Sequence, residues 1–384
     1  MPRRRRPQVR LKRSAHLVCY WKQGGLVIHN YATATLAQGT PLVCELLDFC
    51  GEWRSMAQLR MIAGDTTSAT LALVKRLVDL NFLQRSDRPP DPRETAMRTF
   101  ASWNPSAGFF HSTTRDVRFI PARQATRILA RQARTWPMPP PVKRLTGAAL
   151  VGLPPADTAG EFPGVLLSRR TWRRFSRRPI TKLELATLLW LSCGVQKWVR
   201  TAGQRLALKT SPSGGARHPI ECYVAVRDVK GLRSGLYHYA ADIHALERVG
   251  RKTVTAAMLR SYVPRSGHFA NASAMVFFTA VFERQLWRYP YARAYRAALV
   301  EAGHVCQTFC LAATWLGLAP FSVMGLADSQ IEQDLDIDGV SESVLYAAGV
   351  GLRPRGTTWA PLPRGTLRAV GNKKPRLQVN TGRR

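Results

Sequence analysis

Prolines at 89–90, 137 and 139–141 cut across the middle of the chain. Each removes a main-chain donor and blocks the preceding helical turn. A chain of 384 residues interrupted in this way divides into units, since single cores stop growing at roughly 250–300 residues. The expected division is a basic tail at 1–13, a small unit at 14–88, a proline- and arginine-rich connector at 89–160, a larger unit at 161–356 and a second basic tail at 357–384. The connector is expected to hold one Arg-rich helix between Ile120 and Trp136, and no chemistry.

The small unit reads as helical. Thr40 stands ahead of Pro41, a cap followed by the residue that suits a first helical position. Leu42, Val43, Leu46 and Leu47 give that helix an apolar face before Gly51 ends it. Ser55 with Gln58 makes a capping box for a second helix that stops at Gly64. A third, over about 68–80, carries Leu71, Val74, Leu77 and Val78 on one side, and Asn81-Phe82-Leu83 leads into a short strand. Three helices and a strand resemble a winged-helix domain, a fold that binds DNA or, in peptide-modifying systems, a leader peptide.

Charge separates those two uses. The chain holds 57 basic and 24 acidic residues, a net +33, which taken whole points to an anionic partner. Residues 1–13 hold seven Arg/Lys and no acid, and 361–384 hold seven and no acid, whereas 14–90 carry seven basic and six acidic residues. DNA binding draws most of its affinity from cations set against phosphates, and the small unit lacks that surplus. Peptide docking or a structural role is expected of it, and nucleic acid is not the expected partner.

No apolar run approaches the ~20 residues needed to span a bilayer, so no membrane association is expected. Ser14–Trp21 is too short and polar to follow Met1–Arg13 as a signal segment. The seven cysteines form no C-x-x-C pair and sit mostly in apolar runs, the usage of reduced thiols in a cytoplasmic protein.

From Phe162 the pattern becomes α+β. Thr181 with Glu184, and Ile180 with Leu185, predict a capped and stapled helix that ends at Gly194. Strands are predicted over 220–226, 235–239, 274–282 and 344–351. The longest helix is predicted over about 292–316, with Tyr295, Leu299, Ala302, Cys306, Phe309, Ala313 and Leu316 at helical spacing.

Three segments carry chemistry. Six arginines and no acid lie within 169–178. Such a cluster repels itself unless it is solvated or gathers around an anion, for which Arg forks are suited. The small-residue loop Thr210-Ser-Pro-Ser-Gly-Gly-Ala-Arg-His-Pro219 lets backbone approach a planar ring closely and offers hydroxyl and N–H donors to it. The third runs from Arg284 to Leu318 and holds Trp287-Arg288-Tyr289, Glu301-Ala-Gly-His304 and Leu316-Gly317-Leu318.

Arg169-Arg170-Thr171-Trp172-Arg173, followed by Pro179-Ile180 and the Leu-rich helix, resembles the opening signature of the nitroreductase superfamily. The second and third segments resemble its SagB-type branch, the azoline dehydrogenases that mature ribosomally made peptides. The resemblance covers about 162–356. It implies an α+β, nitroreductase-like FMN-binding fold, with a central, mostly antiparallel sheet flanked by helices, and a homodimer with one FMN at each subunit interface. It further implies that Arg169, Arg170, Thr171 and Arg173 hold the FMN phosphate and ribityl chain, that Ser211, Ser213, Gly214, Gly215 and Arg217 contact the flavin, and that Arg353 reaches the phosphate late in the chain. Tyr289 with Arg288 stands where azoline oxidases have a catalytic Lys-Tyr pair.

The Arg in place of Lys has a chemical consequence. A tyrosine hydroxyl titrates near ~10 in isolation and needs a neighbouring cation to act as a base. Arg288 can be that cation but, with a pKa above ~12, exchanges no proton itself. His218 is expected to be a structural histidine, no metal is expected at His304, Cys306 and Cys310, and Asp334, Asp336 and Asp338 are expected to form a solvated turn. Two other functions fit the same residues: an NAD(P)H-dependent reductase of nitro or quinone compounds, and a peptide- or DNA-binding protein whose catalytic domain has decayed.

Overall fold

Six antiparallel strands form the central sheet of a computed structural model that describes residues 8–62, 68–116, 121–135, 154, 158–201 and 204–356. Across the sheet they run Ala245–Val249, Gly235–Ala240, Ile220–Val226, Ala274–Val281, Glu342–Leu352 and Leu318–Val323. Ala274–Val281, Ala-Met-Val-Phe-Phe-Thr-Ala-Val, is buried along almost its whole length. It has neighbours on both edges and helices over both faces, which is why its sequence is a continuous apolar run with no alternation.

One face packs on the helices Lys182–Cys193 and Arg293–Trp315 through Leu185, Leu188, Leu189, Ala298, Ala302, Cys306 and Phe309. The other packs on Ala256–Tyr262 and Asp328–Leu335 through Leu259, Tyr262, Ile331 and Leu335. The capping box is formed as the sequence predicts: the Thr181 hydroxyl accepts from the Glu184 N–H at 3.1 Å, and the Glu184 carboxylate accepts from the Thr181 N–H at 2.6 Å.

In the small unit the three predicted helices are Pro41–Phe49, Met56–Ile62 and Ser68–Asp79, followed by the strand Leu83–Arg85. Two features differ from the expectation. The basic tail ends earlier than residue 13, because Arg10–Arg13 is a strand paired with both Leu83–Arg85 and Arg54–Ser55. A meander of Leu17–Lys22, Gly25–Asn30 and Thr35–Gln38 precedes the helices. Its first turn places Gln23 at φ 50° and Gly24 at φ 80°, the left-handed pair that tight hairpins require.

The connector needs the larger correction. Residues 92–114 form three successive helical pieces, Pro92–Ala96, Met97–Trp103 and Asn104–Thr114. Met97, Phe100, Trp103 and Ala107 are buried in the same core as the six-stranded sheet. His111 bonds the Tyr295 hydroxyl at 2.9 Å and the Gly339 carbonyl at 2.8 Å, and Arg115 is paired with Glu332. Apolar burial, and not the proline punctuation, sets the boundary of this core. The Arg-rich helix is present as Ala122–Thr135. The proline cluster at 137–141 and the C-terminal tail fall outside the described residues.

Of the aspartates expected in a solvated turn, Asp336 and Asp338 are exposed after the helix ends, and Asp334 is not. Asp334 is held in the last turn of Asp328–Leu335 by the Tyr262 hydroxyl at 2.6 Å and by Lys252. Asp338 accepts from the main chain of Val340, Ser341 and Glu342.

Candidate active site

The long helix Arg293–Trp315 is the spine of the site. It rises 1.5 Å per residue, so its inward positions from Glu301 to Thr314 cover roughly 20 Å. Toward its middle, Glu301 and Thr308 face the loop at 210–218. At its C-terminal end, Cys310 and Thr314 face the arginine segment and Arg353.

At the loop end the predicted residues come together. The Ser211 hydroxyl lies 3.0 Å from that of Thr308. Ser213 accepts from the His218 N–H at 2.8 Å, and the Gly214 N–H donates to Glu301 Oε1 at 3.0 Å. Tyr289 lies against the two glycines: a Cβ on Gly214 would stand 3.4 Å from its ring, and one on Gly215 would stand 3.0 Å from its hydroxyl and 3.6 Å from Arg288 Cγ. Gly215 has φ +60°, so both its backbone and the space beside it favour a residue without a side chain. Arg217 Nε donates to the Gly215 carbonyl at 2.9 Å, and its guanidinium sits 5.1 Å from the centre of the exposed Trp287 ring.

The Arg288–Tyr289 turn is fixed from below. Gln285 O accepts from the N–H groups of Arg288 and Tyr289 at 3.1 and 2.7 Å, while Trp103 Nε1 donates to Tyr289 O at 3.0 Å. Arg284 donates to the His218 carbonyl at 2.9 Å and is paired with Glu221. His218 is structural, as expected: its Nε2 meets the Ala207 carbonyl at 2.9 Å, and burial together with the nearby Lys209 pushes its pKa down to about 4.

The arginine segment runs past the sheet edge. Trp172 N–H donates to Pro320 O and Ser176 N–H to Leu352 O, both at 2.9 Å. Phe175 occupies the space that a Cβ on Gly351 would need, 2.8 Å from its ring. Arg169 follows the last turn of Glu161–Ser168, and its charge bears on the Cys310 thiol; that of Arg173 bears on His268. Arg170 turns back, with Nη1 on the carbonyls of Leu167 and Arg169 at 2.9 and 2.7 Å. Arg353 is half-buried over Trp172, 5.3 Å from the ring, and donates to Leu318 O at 3.0 Å and Thr314 O at 3.4 Å. It therefore answers the carbonyl end of the long helix, where a cation is favoured. Thr171 is half-buried.

Glu301 lies in the third of the segments marked in the sequence, but the sequence assigns it no role there. It is 5% exposed, and burial raises its pKa. Its role is not local, because its donors come from positions 213–214 and 285.

The sequence comparisons agree with this architecture. Residues 166–352 match the profile described as the nitroreductase family. A protein of Methanocaldococcus jannaschii named as a nitroreductase is 34% identical over 178 residues, covering 45% of this chain and 83% of its own. The trifolitoxin-processing protein TfxB of Rhizobium leguminosarum bv. trifolii is 36% identical over 143 residues, 36% of this chain and 38% of its own. The microcin B17-processing protein McbC of Escherichia coli is 33% identical over 137 residues, 33% of this chain and 48% of its own. The chain thus spans less than half the length of either processing protein. With the profile covering all six strands of the sheet and the archaeal relative matched along most of its length, the chain belongs to the nitroreductase family.

Proposed function

We propose that the protein is an FMN-dependent dehydrogenase of the SagB type, oxidising azoline rings in a ribosomally made peptide to azoles. The observation that carries this reading is the packing of Tyr289 against Gly214 and Gly215, with the Arg288 stem against Gly215, which puts a hydroxyl beside the loop that resembles a flavin-contacting segment. The similarity to two proteins named for processing peptide products supports it.

The residues present fit FMN. Gly214 and Gly215 let the Tyr289 ring lie directly against the loop, where a Cβ would crowd it. Arg169, Arg173, Arg174, Arg177 and Arg178 have no carboxylate partner among the described residues, so their charge is available to a phosphate. Ser211, Ser213 and Arg217 border the glycines and would hold the ring system; Arg169, Arg170, Thr171, Arg173 and Arg353 would hold the phosphate end.

Aromatising a thiazoline or oxazoline removes one hydrogen with its electron pair and another as a proton. FMN supplies the two-electron acceptor when bound. The protein's own part is to receive the proton at the Tyr289 oxygen, which serves as base in its phenolate form, and to keep the Gly214–Gly215 loop beside it. The small unit, read as winged-helix-like, docks the peptide. The protein is a homodimer, with the exposed Phe162, Val300 and Trp315 covered by the second copy.

Incubation with a synthetic peptide carrying a thiazoline tests the reading: mass analysis should show loss of two hydrogens per ring, coupled to oxygen uptake. A second reading, an NAD(P)H-dependent reductase of nitro or quinone compounds, is favoured by the archaeal match. It predicts NAD(P)H oxidation with a nitroarene and no mass change in the peptide.

A further inference from the structure

We infer that Glu301 is a positioning residue that sets the spacing between the Ser213–Gly214–Gly215 loop and the Arg288–Tyr289 turn; this rests on the assignment of both segments to the flavin site. Its Oε1 accepts from the Gly214 N–H and from Gln285 Nε2, each at 3.0 Å, and the Ser213 hydroxyl bonds the same carboxylate. Gln285 is fully buried and passes the connection on, its main-chain oxygen accepting from Arg288 and Tyr289. The path closes on itself, because the Tyr289 ring returns to lie against Gly214 and Gly215.

The chemistry of the position argues against a packing role. Burying a carboxylate is costly unless donors or a cation compensate, and here hydrogen-bond donors do most of it, with the charge of His304 a smaller contribution. An apolar side chain would fill this helix position at less cost to folding. What the carboxylate adds is a shared acceptor for donors far apart in sequence, at 213–214 and at 285. Gln285 Oε1 is buried without a partner. The charge on Glu301 explains that orphan, since turning the amide over would bring two acceptors together.

The test uses the full chain with Glu301→Gln and, in parallel, Gln285→Met, which keeps volume and removes the amide. FMN affinity is read by fluorescence quenching, the site by the visible flavin spectrum, and folding by thermal melting. In E301Q an NH2 group competes for a place where only an acceptor fits. FMN binding should weaken about tenfold or more, the scale of a lost hydrogen bond to a charged group. The shoulders of the bound-flavin band should blur while the melting temperature stays close to wild type. Q285M should move both flavin readouts the same way, and it carries the test if E301Q does not fold. Wild-type affinity and spectrum in the variants overturn the inference, and so does a lowered melting temperature with unchanged flavin properties. A wild-type protein that takes up no FMN overturns the flavin assignment itself, and this inference with it.

Discussion

The indole Nε1 of Trp103 donates a 3.0 Å hydrogen bond to the main-chain oxygen of Tyr289, so a residue of the proline-flanked connector holds the turn that carries the candidate base. Trp103 has no exposed surface and packs against Phe100, Phe282 and Tyr295.

Trp103→Phe keeps most of that packing and removes one of two donors to the Tyr289 carbonyl, the Tyr291 N–H at 2.8 Å remaining. The expected cost is about 0.5–1.5 kcal/mol in denaturant-measured stability. A larger relative fall is expected in turnover than in flavin affinity, because the turn moves while the phosphate end does not. Equal losses in both would show that Trp103 serves packing alone.

Replacing Arg169 and Arg173 together with alanine should leave the fold intact, since Arg173 is exposed and Arg169 only half-buried. Each charged hydrogen bond to a phosphate is worth about 1.5–3 kcal/mol, so FMN affinity should fall at least a hundredfold, measured by titration of apoprotein. Unchanged affinity would remove the phosphate role from this segment.

Tyr289→Phe retains the ring against Gly214 and Gly215 and removes only the hydroxyl. Loss of a positioned general base typically costs 10²–10⁴ in rate, and the azoline assay should fall by that amount with the yellow colour retained. If peptide oxidation persists at the wild-type rate, Tyr289 is not the base.

Stability should depend on pH from both sides. Burial holds His111 down to about 4, against about 6.5 in an unfolded chain. The unfolded state therefore takes up the proton first, and stability falls as pH drops from about 6.5 toward 4, by up to about 3 kcal/mol. His238 is shifted the other way, raised to about 9 chiefly by its hydrogen bond to Glu221, with Glu247 adding to it. Its contribution is complete below about 6.5 and is lost as pH rises through 9; the ring is partly exposed, which limits the effect to on the order of 1 kcal/mol. Urea titrations across this range should place the maximum between these limits, and His238→Gln should flatten the alkaline limb.

Phe162 is 66% exposed on Glu161–Ser168, a helix with no buried residue of its own. Phe162→Glu should shift the protein toward monomer in light scattering and lower the flavin retained on purification. A dimer unaffected by the change would move the interface elsewhere.

Local sequence determined the elements whose signals are short in range. Thr181 and Glu184 close their capping box in any context that lets the helix form, and Thr40-Pro41 starts its helix for the same reason. The apolar run at 274–282 was legible as a strand, and the glycines at 214–215 announced a close approach before any partner was known. Tertiary structure decided the rest. Residues 92–114 show prolines and weak periodicity, so nothing local reveals that Phe100 and Trp103 complete the core of a sheet beginning more than a hundred residues later. Glu301 stands in a segment that the sequence marks, but its role depends on donors at 213–214 and 285 that only the closed fold brings to it. The difference is physical: caps and periodicity act within a turn or two of the chain, whereas burial and shared hydrogen bonds depend on which distant segments the fold sets side by side.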